Sequence, residues 1–251
     1  MNSRKNRPPN QHRPTRERRR RTCVYCANRA TTRDHVPPRL LLEKPYPNNL
    51  ITVPACNSCN NEFSADEEYF LTILAHVATA NSLVSKIADG GVVDRALSAS
   101  AKKSAVLESS LQATNHDGVS IWLQPDWIRV GLIVRKIAQG LYYHRYNQAV
   151  ADIDVRDIGA YPYNIRDQRP PEIIAATHSE RFLPKKWQHI QPGIFSYIFV
   201  RHSFDQSRLT CVVDVHSTAW LVASFPSPIP VPSNGRKTRH RTVVGQLRLS
   251  L

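Results

Sequence analysis

Two Cys-x-x-Cys pairs are the residues in this sequence with the clearest chemical use. Cys23 and Cys26 form the first pair, and Cys56 and Cys59 form the second. Each pair can offer two thiolates to one metal ion, and four thiolates complete the closed tetrahedral shell that Zn²⁺ prefers at structural sites. The spacing therefore predicts a structural zinc ion that staples the intervening segment into a loop.

Two disulfide bonds are the alternative use of these four cysteines. No apolar signal segment precedes them and residues 1–21 are rich in arginine, so we expect a reducing, cytoplasmic setting, near the nucleoid if the source is bacterial. The fifth cysteine, Cys211, lies in an apolar stretch and is predicted to be a small buried core residue.

Asp34 and His35 stand side by side between the two cysteine pairs, and Asn60 directly follows the second pair. Phosphodiester hydrolysis needs an activated water and a cation that neutralises charge on the phosphate and the leaving oxygen. An imidazole can accept a proton at neutral pH, and a carboxylate can hold a hard cation. The pair therefore offers both types of group that this reaction uses.

The residues around this pair predict two short strands and a helix. Residues 31–36 form the first strand, which the prolines at 37 and 38 end, and residues 50–53 form the second. Helical spacing begins near Asn57. Adjacent residues on a strand point to opposite faces, so Asp34 and His35 share a face only where the strand bends or ends, which the prolines favour.

The order Cys-x-x-Cys, Asp34-His35-Val36-Pro37, Asn49-Leu50, Cys-x-x-Cys-Asn60 resembles the zinc-containing branch of the HNH endonucleases, whose core is a ββα-metal finger. The resemblance covers about residues 22–70. It implies that Asp34 binds the catalytic divalent metal and that His35 is the general base. It also implies that Asn60 gives the metal a second oxygen, with Mg²⁺ or Mn²⁺ as the cation, and that Asn49 orients His35.

The third ligand of that metal is open. Many HNH members carry a lysine three residues, or a histidine four residues, after the Asn60 position, where this chain has Phe63 and Ser64. Helical spacing offers Ser64, Glu67 and Glu68, and water is the other choice. The acidic helix face can equally be a solvated surface, Asn60 a helix-start residue and Asn49 a turn residue.

The charge of the chain lies mainly at its ends. The net charge is +14, and residues 1–22 hold nine Lys or Arg against one Glu, a net of +8, while residues 236–248 add +5. We expect basic arms at residues 1–21 and 233–251 that contact a polyanion, or that only keep the protein in solution. No apolar run approaches the roughly 20 residues of a membrane span, so no membrane partner is expected.

The expected fold is α+β: an N-terminal zinc-stapled ββα-metal finger at residues 22–80, then a mixed helical and antiparallel-sheet domain at 81–232. Residues 82–110 predict one or two helices, residues 125–147 a long helix, and residues 193–202 and 209–225 strands. We expect a metal-dependent endonuclease acting on DNA, with RNA the other polyanion open. The rival is a non-catalytic zinc-knuckle protein that binds nucleic acid.

Overall fold

The N-terminal part of the chain is a β-hairpin followed by two helices. A computed structural model describes the protein over residues 22–80, 111–112, 120–123, 125–148, 155–163, 170–182, 187–205, 207–228 and 247–250. Strand β1 (Thr32–Val36) pairs antiparallel with β2 (Ile51–Ala55), and a short 3₁₀ helix (Arg39–Leu41) lies in the connection. The strand ends immediately before Pro37, as the sequence predicts.

The helical spacing that begins at Asn57 becomes two helices. Helix α1 (Asn57–Glu62) ends at Phe63, and helix α2 (Ser64–Ala80) follows directly. The buried side of α2 carries Tyr69, Phe70, Ile73 and Leu74, which belong to the main apolar core. The predicted order of two strands and a helical segment is therefore confirmed, with a break at Phe63.

Helix α3 (Trp127–Tyr146) is the long helix that the apolar spacing predicts. Asp126 caps its first turn by accepting hydrogen bonds from two backbone N–H groups, and Asn147 ends it in the left-handed conformation at φ 50°. The helix contacts α2, both strands of the hairpin, and the strands Arg156–Pro162 and Ala219–Pro226 of the large sheet. It therefore packs the hairpin against the large sheet.

The large sheet has five antiparallel strands in the order β5-β9-β8-β7-β6. These strands are β5 (Arg156–Pro162), β6 (Gln188–Gln191), β7 (Phe195–Arg201), β8 (Arg208–Val215) and β9 (Ala219–Pro226). The apolar stretch 209–225 is thus two strands, because His216 and Ser217 take positive φ and turn the chain between them.

Alternate residues of the sheet enter two different cores. On β8, Val213 and Val215 face the core that holds α3 and the hairpin, whereas Val212 faces helix α4 (Pro171–Phe182). Cys211 is fully buried in the first core, as predicted. One apolar cluster therefore contains residues from the hairpin, α2, α3 and the sheet.

A small sheet completes the described structure. Strand β4 (Ser120–Leu123) pairs with β3 (Leu111–Gln112) on one side and β10 (Leu247–Ser250) on the other. The last part of the predicted basic tail is therefore a strand, because its backbone pairs with β4. The arm at 1–21, the helices at 82–110 and most of the tail lie outside the described residues. The architecture is α+β with antiparallel sheets, and no described helix is long and apolar enough to span a bilayer.

Candidate metal centre and histidine site

The four predicted zinc ligands come together at one end of the hairpin. Cys23 and Cys26 lie in a tight turn that the Cys23 N–H closes on Asn28 O at 2.7 Å. Cys56 caps helix α1, and Cys59 lies in its first turn. The four sulfur atoms all lie within 4.8 Å of one another. The turn before β1 and the helix after β2 therefore bring both pairs to one point.

The sulfur geometry fits a tetrahedral zinc ion. Zn–S bonds of about 2.3 Å place sulfur atoms about 3.8 Å apart, and Cys26 Sγ lies 3.6 Å from Cys56 Sγ. A disulfide needs sulfur atoms about 2.0 Å apart, and all five cysteines are free thiols. The structure thus has the donor set and spacing for one structural metal ion such as zinc.

Hydrogen bonding and burial act on the thiols in opposite directions. The Cys59 N–H donates to Cys56 Sγ at 3.5 Å, and this bond lowers the pKa of Cys56 to about 7. Burial raises the pKa of Cys23 and Cys59. A metal ion deprotonates the thiols that bind it. A bound zinc would therefore hold the buried sulfurs as thiolates, and its positive charge would stabilise their negative charge.

Asp34 points into the protein and is bound by two side chains. Its Oδ2 accepts a hydrogen bond from Tyr25 Oη at 2.7 Å and lies 2.9 Å from Lys136 Nζ of helix α3. Burial, and then the Asp34 carboxylate, raise the pKa of Tyr25, so the phenol keeps its proton and donates. Asp34 Oδ1 receives no hydrogen bond from a described residue.

Lys136 bridges two carboxylates within the core. Its ammonium also contacts Glu67 Oε1 of α2, and it lies 4.8 Å from the centre of the Phe63 ring. Burial raises the pKa of Glu67, and the Lys136 charge opposes that rise. Lys136, Asp34 and Glu67, which we call the carboxylate–lysine triad, therefore tie α3 to β1 and α2.

A glycine allows α3 to approach the hairpin this closely. Gly140 lies one helical turn after Lys136, and a Cβ added there would be 2.5 Å from Val36 Cγ2. Such a separation is too short for any side chain, so only glycine fits without movement. The contact sets the distance from α3 to β1, and hence the reach of Lys136 to Asp34.

His35 lies on the other side of the strand. The pairing from Thr32 to Val36 is regular, so the bend that would turn Asp34 and His35 to the same face does not occur. His35 is half-buried and shares its face with the exposed Arg33. Burial, and then Arg39 and Arg33, lower its pKa, whereas Asp34 opposes this shift. The imidazole therefore stays neutral, and able to accept a proton, down to a lower pH than an ordinary histidine.

The remaining predicted site residues lie on helices and in a turn. Asn60 is half-buried in α1, which packs against β1, whereas Asn49 is exposed in the turn before β2. Of the candidates for a third ligand, Ser64 and Glu68 are exposed and Glu67 is held by Lys136. Helix α1, which carries Asn60, therefore packs against β1, the strand whose opposite faces carry Asp34 and His35.

Sequence reasoning did not include Lys136 in the site. The apolar spacing of α3 leaves Lys136 outside the stripe, yet it is among the most buried side chains described. The available signal was its place one turn before Gly140, beside that stripe.

Comparison of the chain with protein-family models, curated proteins and solved structures finds no match.

Proposed function

We propose that this chain is a metal-dependent endonuclease of the HNH type that hydrolyses phosphodiester bonds in DNA, with His35 as general base. The observation that supports this most is the environment of His35. It lies on the hairpin that ends at the four-cysteine cluster, on the more exposed face of β1, with Arg33 on the same face and the buried Asp34 on the other. A neutral imidazole open to solvent and flanked by cations can meet both a water molecule and an anionic phosphate.

Asp34 and Asn60 are the residues that would hold the divalent cation, Mg²⁺ or Mn²⁺. Asp34 would bind through Oδ1, because Oδ2 is already shared by Tyr25 and Lys136. When bound, such a cation neutralises charge on the phosphate and on the leaving oxygen. Asn49 would order the loop before β2, and water molecules would complete the metal shell.

The protein's own residues account for the proton transfer. His35 takes the proton of the attacking water at a ring nitrogen, and its lowered pKa keeps that nitrogen free at neutral pH. The carboxylate–lysine triad fixes β1 from its inner side, so the imidazole is presented from a rigid strand. A general base held in this way contributes roughly 10²- to 10⁴-fold to a rate.

A zinc-knuckle protein that binds nucleic acid without cleaving it is the second candidate. The observation that favours it is the carboxylate–lysine triad, since Lys136 already neutralises Asp34 and would repel a nearby divalent cation. In that case the triad would serve only to join α3 to the hairpin.

Plasmid cleavage with Mg²⁺, Mn²⁺ or EDTA separates the two candidates. The nuclease proposal predicts nicking or cutting that needs a divalent ion. Asp34→Asn should raise the Mg²⁺ concentration needed, while His35→Ala should lower the rate at every Mg²⁺ concentration. Wild-type protein that binds the plasmid and never cuts it under any divalent ion would favour the zinc-knuckle binder.

A further inference from the structure

The charge of the finger is divided between its two halves. Residues 22–50 carry four Lys or Arg against two acids, whereas residues 51–80 carry four acids and no Lys or Arg. One of the two acids in the first half, Asp34, is buried against Lys136. The four basic side chains are all exposed: Arg29, Arg33, Arg39 and Lys44. An anion would therefore approach the finger from the side of β1 and its following loop.

Arg33 is fixed beside His35 by the opposite strand. Its Nε donates to Thr52 Oγ1 at 2.8 Å and its Nη2 donates to Thr52 O at 2.9 Å. Thr52 is the residue of β2 that pairs with His35. These two bonds leave the Nη1 group of an exposed guanidinium as a donor on the His35 face.

Arg39 is a second exposed cation, in the segment that directly follows β1. It begins the 3₁₀ helix that follows β1, it is exposed, and its guanidinium carbon lies 5.8 Å from the centre of the Tyr46 ring. Arg39 lies four residues after His35 along the chain, and the positive charges of Arg39 and Arg33 lower the pKa of that imidazole. An arginine held over a ring or across a strand loses less freedom when it binds a phosphate.

We propose that Arg33 and Arg39 form a phosphate-binding face around His35, which takes the backbone of a nucleic acid. Arginine guanidinium groups suit phosphate oxygens because their donors form a planar fork. Both residues are positioning residues that hold the polyanion while His35 faces the phosphodiester. The inference rests on the proposed function for the role of His35, but phosphate binding can be measured without cleavage.

Binding of a short fluorescent DNA duplex without added divalent ions, measured across a range of salt concentrations, tests this face. Arg33→Gln and Arg39→Gln should each weaken binding about fivefold to tenfold at low salt and lower the salt-dependence slope by about one. Arg135→Gln is the matched control, because it removes an exposed arginine from α3 and should leave affinity within about twofold. Arg39→Lys should keep the salt-dependence slope because the charge remains, and lose part of the affinity because the planar fork is gone.

The outcomes separate this inference from the proposed function. Weaker binding by both variants with no cleavage in the wild type keeps the phosphate-binding face and removes the nuclease proposal. Cleavage that depends on His35, with both variants binding as tightly as the Arg135→Gln control, overturns the face and keeps the nuclease. Folding of each variant is checked by its zinc content and its unfolding midpoint. If Arg33→Gln loosens the hairpin, the DNA affinity of Arg39→Gln alone decides the test.

Discussion

Replacement of Lys136 by methionine should destabilise the protein strongly. Methionine keeps the apolar stem and removes the charge, which leaves Asp34 and Glu67 without their shared cation. The side chains of Lys136, Asp34 and Glu67 are 1%, 9% and 14% exposed, so solvent can compensate only in part. Removal of one partner from a buried ion pair costs about 3–5 kcal/mol, and we expect the lower end because Glu67 can take up a proton.

Chemical and thermal unfolding measure this effect. A loss of about 3 kcal/mol should lower the melting temperature by roughly 6–12 °C in a protein of this size. Arg135→Met, one residue earlier on α3 and exposed, should change stability by less than about 0.5 kcal/mol. Adding Glu67→Gln to Lys136→Met should recover part of the loss, because one unpaired carboxylate is removed. Equal midpoints for wild type and Lys136→Met would refute the triad as a buried ionic link.

Three other measurements test separate parts of the account. Metal analysis should find about one zinc per chain, lost in Cys56→Ser with loss of order in the finger and kept in Cys211→Ala. Gly140→Ala should destabilise by about 1–3 kcal/mol through overpacking, whereas Gly131→Ala, whose added Cβ would have its nearest contact at 3.9 Å, should be neutral or stabilising; denaturant midpoints compare them. Burial lowers the pKa of His216, so below about pH 6.5 the unfolded chain binds a proton that the folded chain does not. The free energy of unfolding should therefore decrease as the pH is lowered. In unfolding titrations of a His216→Gln variant, the slope of this free energy against pH should be smaller by up to about 1.4 kcal/mol per pH unit. Retained zinc in Cys56→Ser, a stabilising Gly140→Ala or an unchanged slope would each contradict its prediction.

Local signals in the sequence predicted the hairpin, its cysteine cluster and helix α3 well. The cysteine spacing predicted one metal site, and the four sulfur atoms lie within 4.8 Å of one another. The proline after Val36 predicted the end of β1 correctly. The apolar spacing of α3 gave its bounds to within two residues, because an Asp cap and a left-handed Asn mark its ends. For the end of β1 and the bounds of α3, the information lies within a few residues of the feature, where periodicity and turn chemistry act.

Contacts between distant residues could not be predicted in this way. Lys136 meets Asp34 only because α3 packs on β1, and that packing depends on the missing side chain of Gly140. A lysine beside an apolar stripe has the same local pattern whether it extends into water or enters the core between carboxylates. The opposite orientations of Asp34 and His35 likewise depend on the regular pairing of β1 with β2, which the prolines alone did not indicate.

The most direct test of the proposed function is the single-turnover cleavage rate of His35→Ala at saturating Mg²⁺ or Mn²⁺. If His35 is the general base, the rate falls roughly 10²- to 10⁴-fold while zinc content, unfolding midpoint and DNA affinity stay near those of the wild type. His144→Ala, which removes an exposed histidine from α3, should cleave at the wild-type rate. Cleavage by His35→Ala as fast as by the wild type would contradict the assignment of His35 as general base.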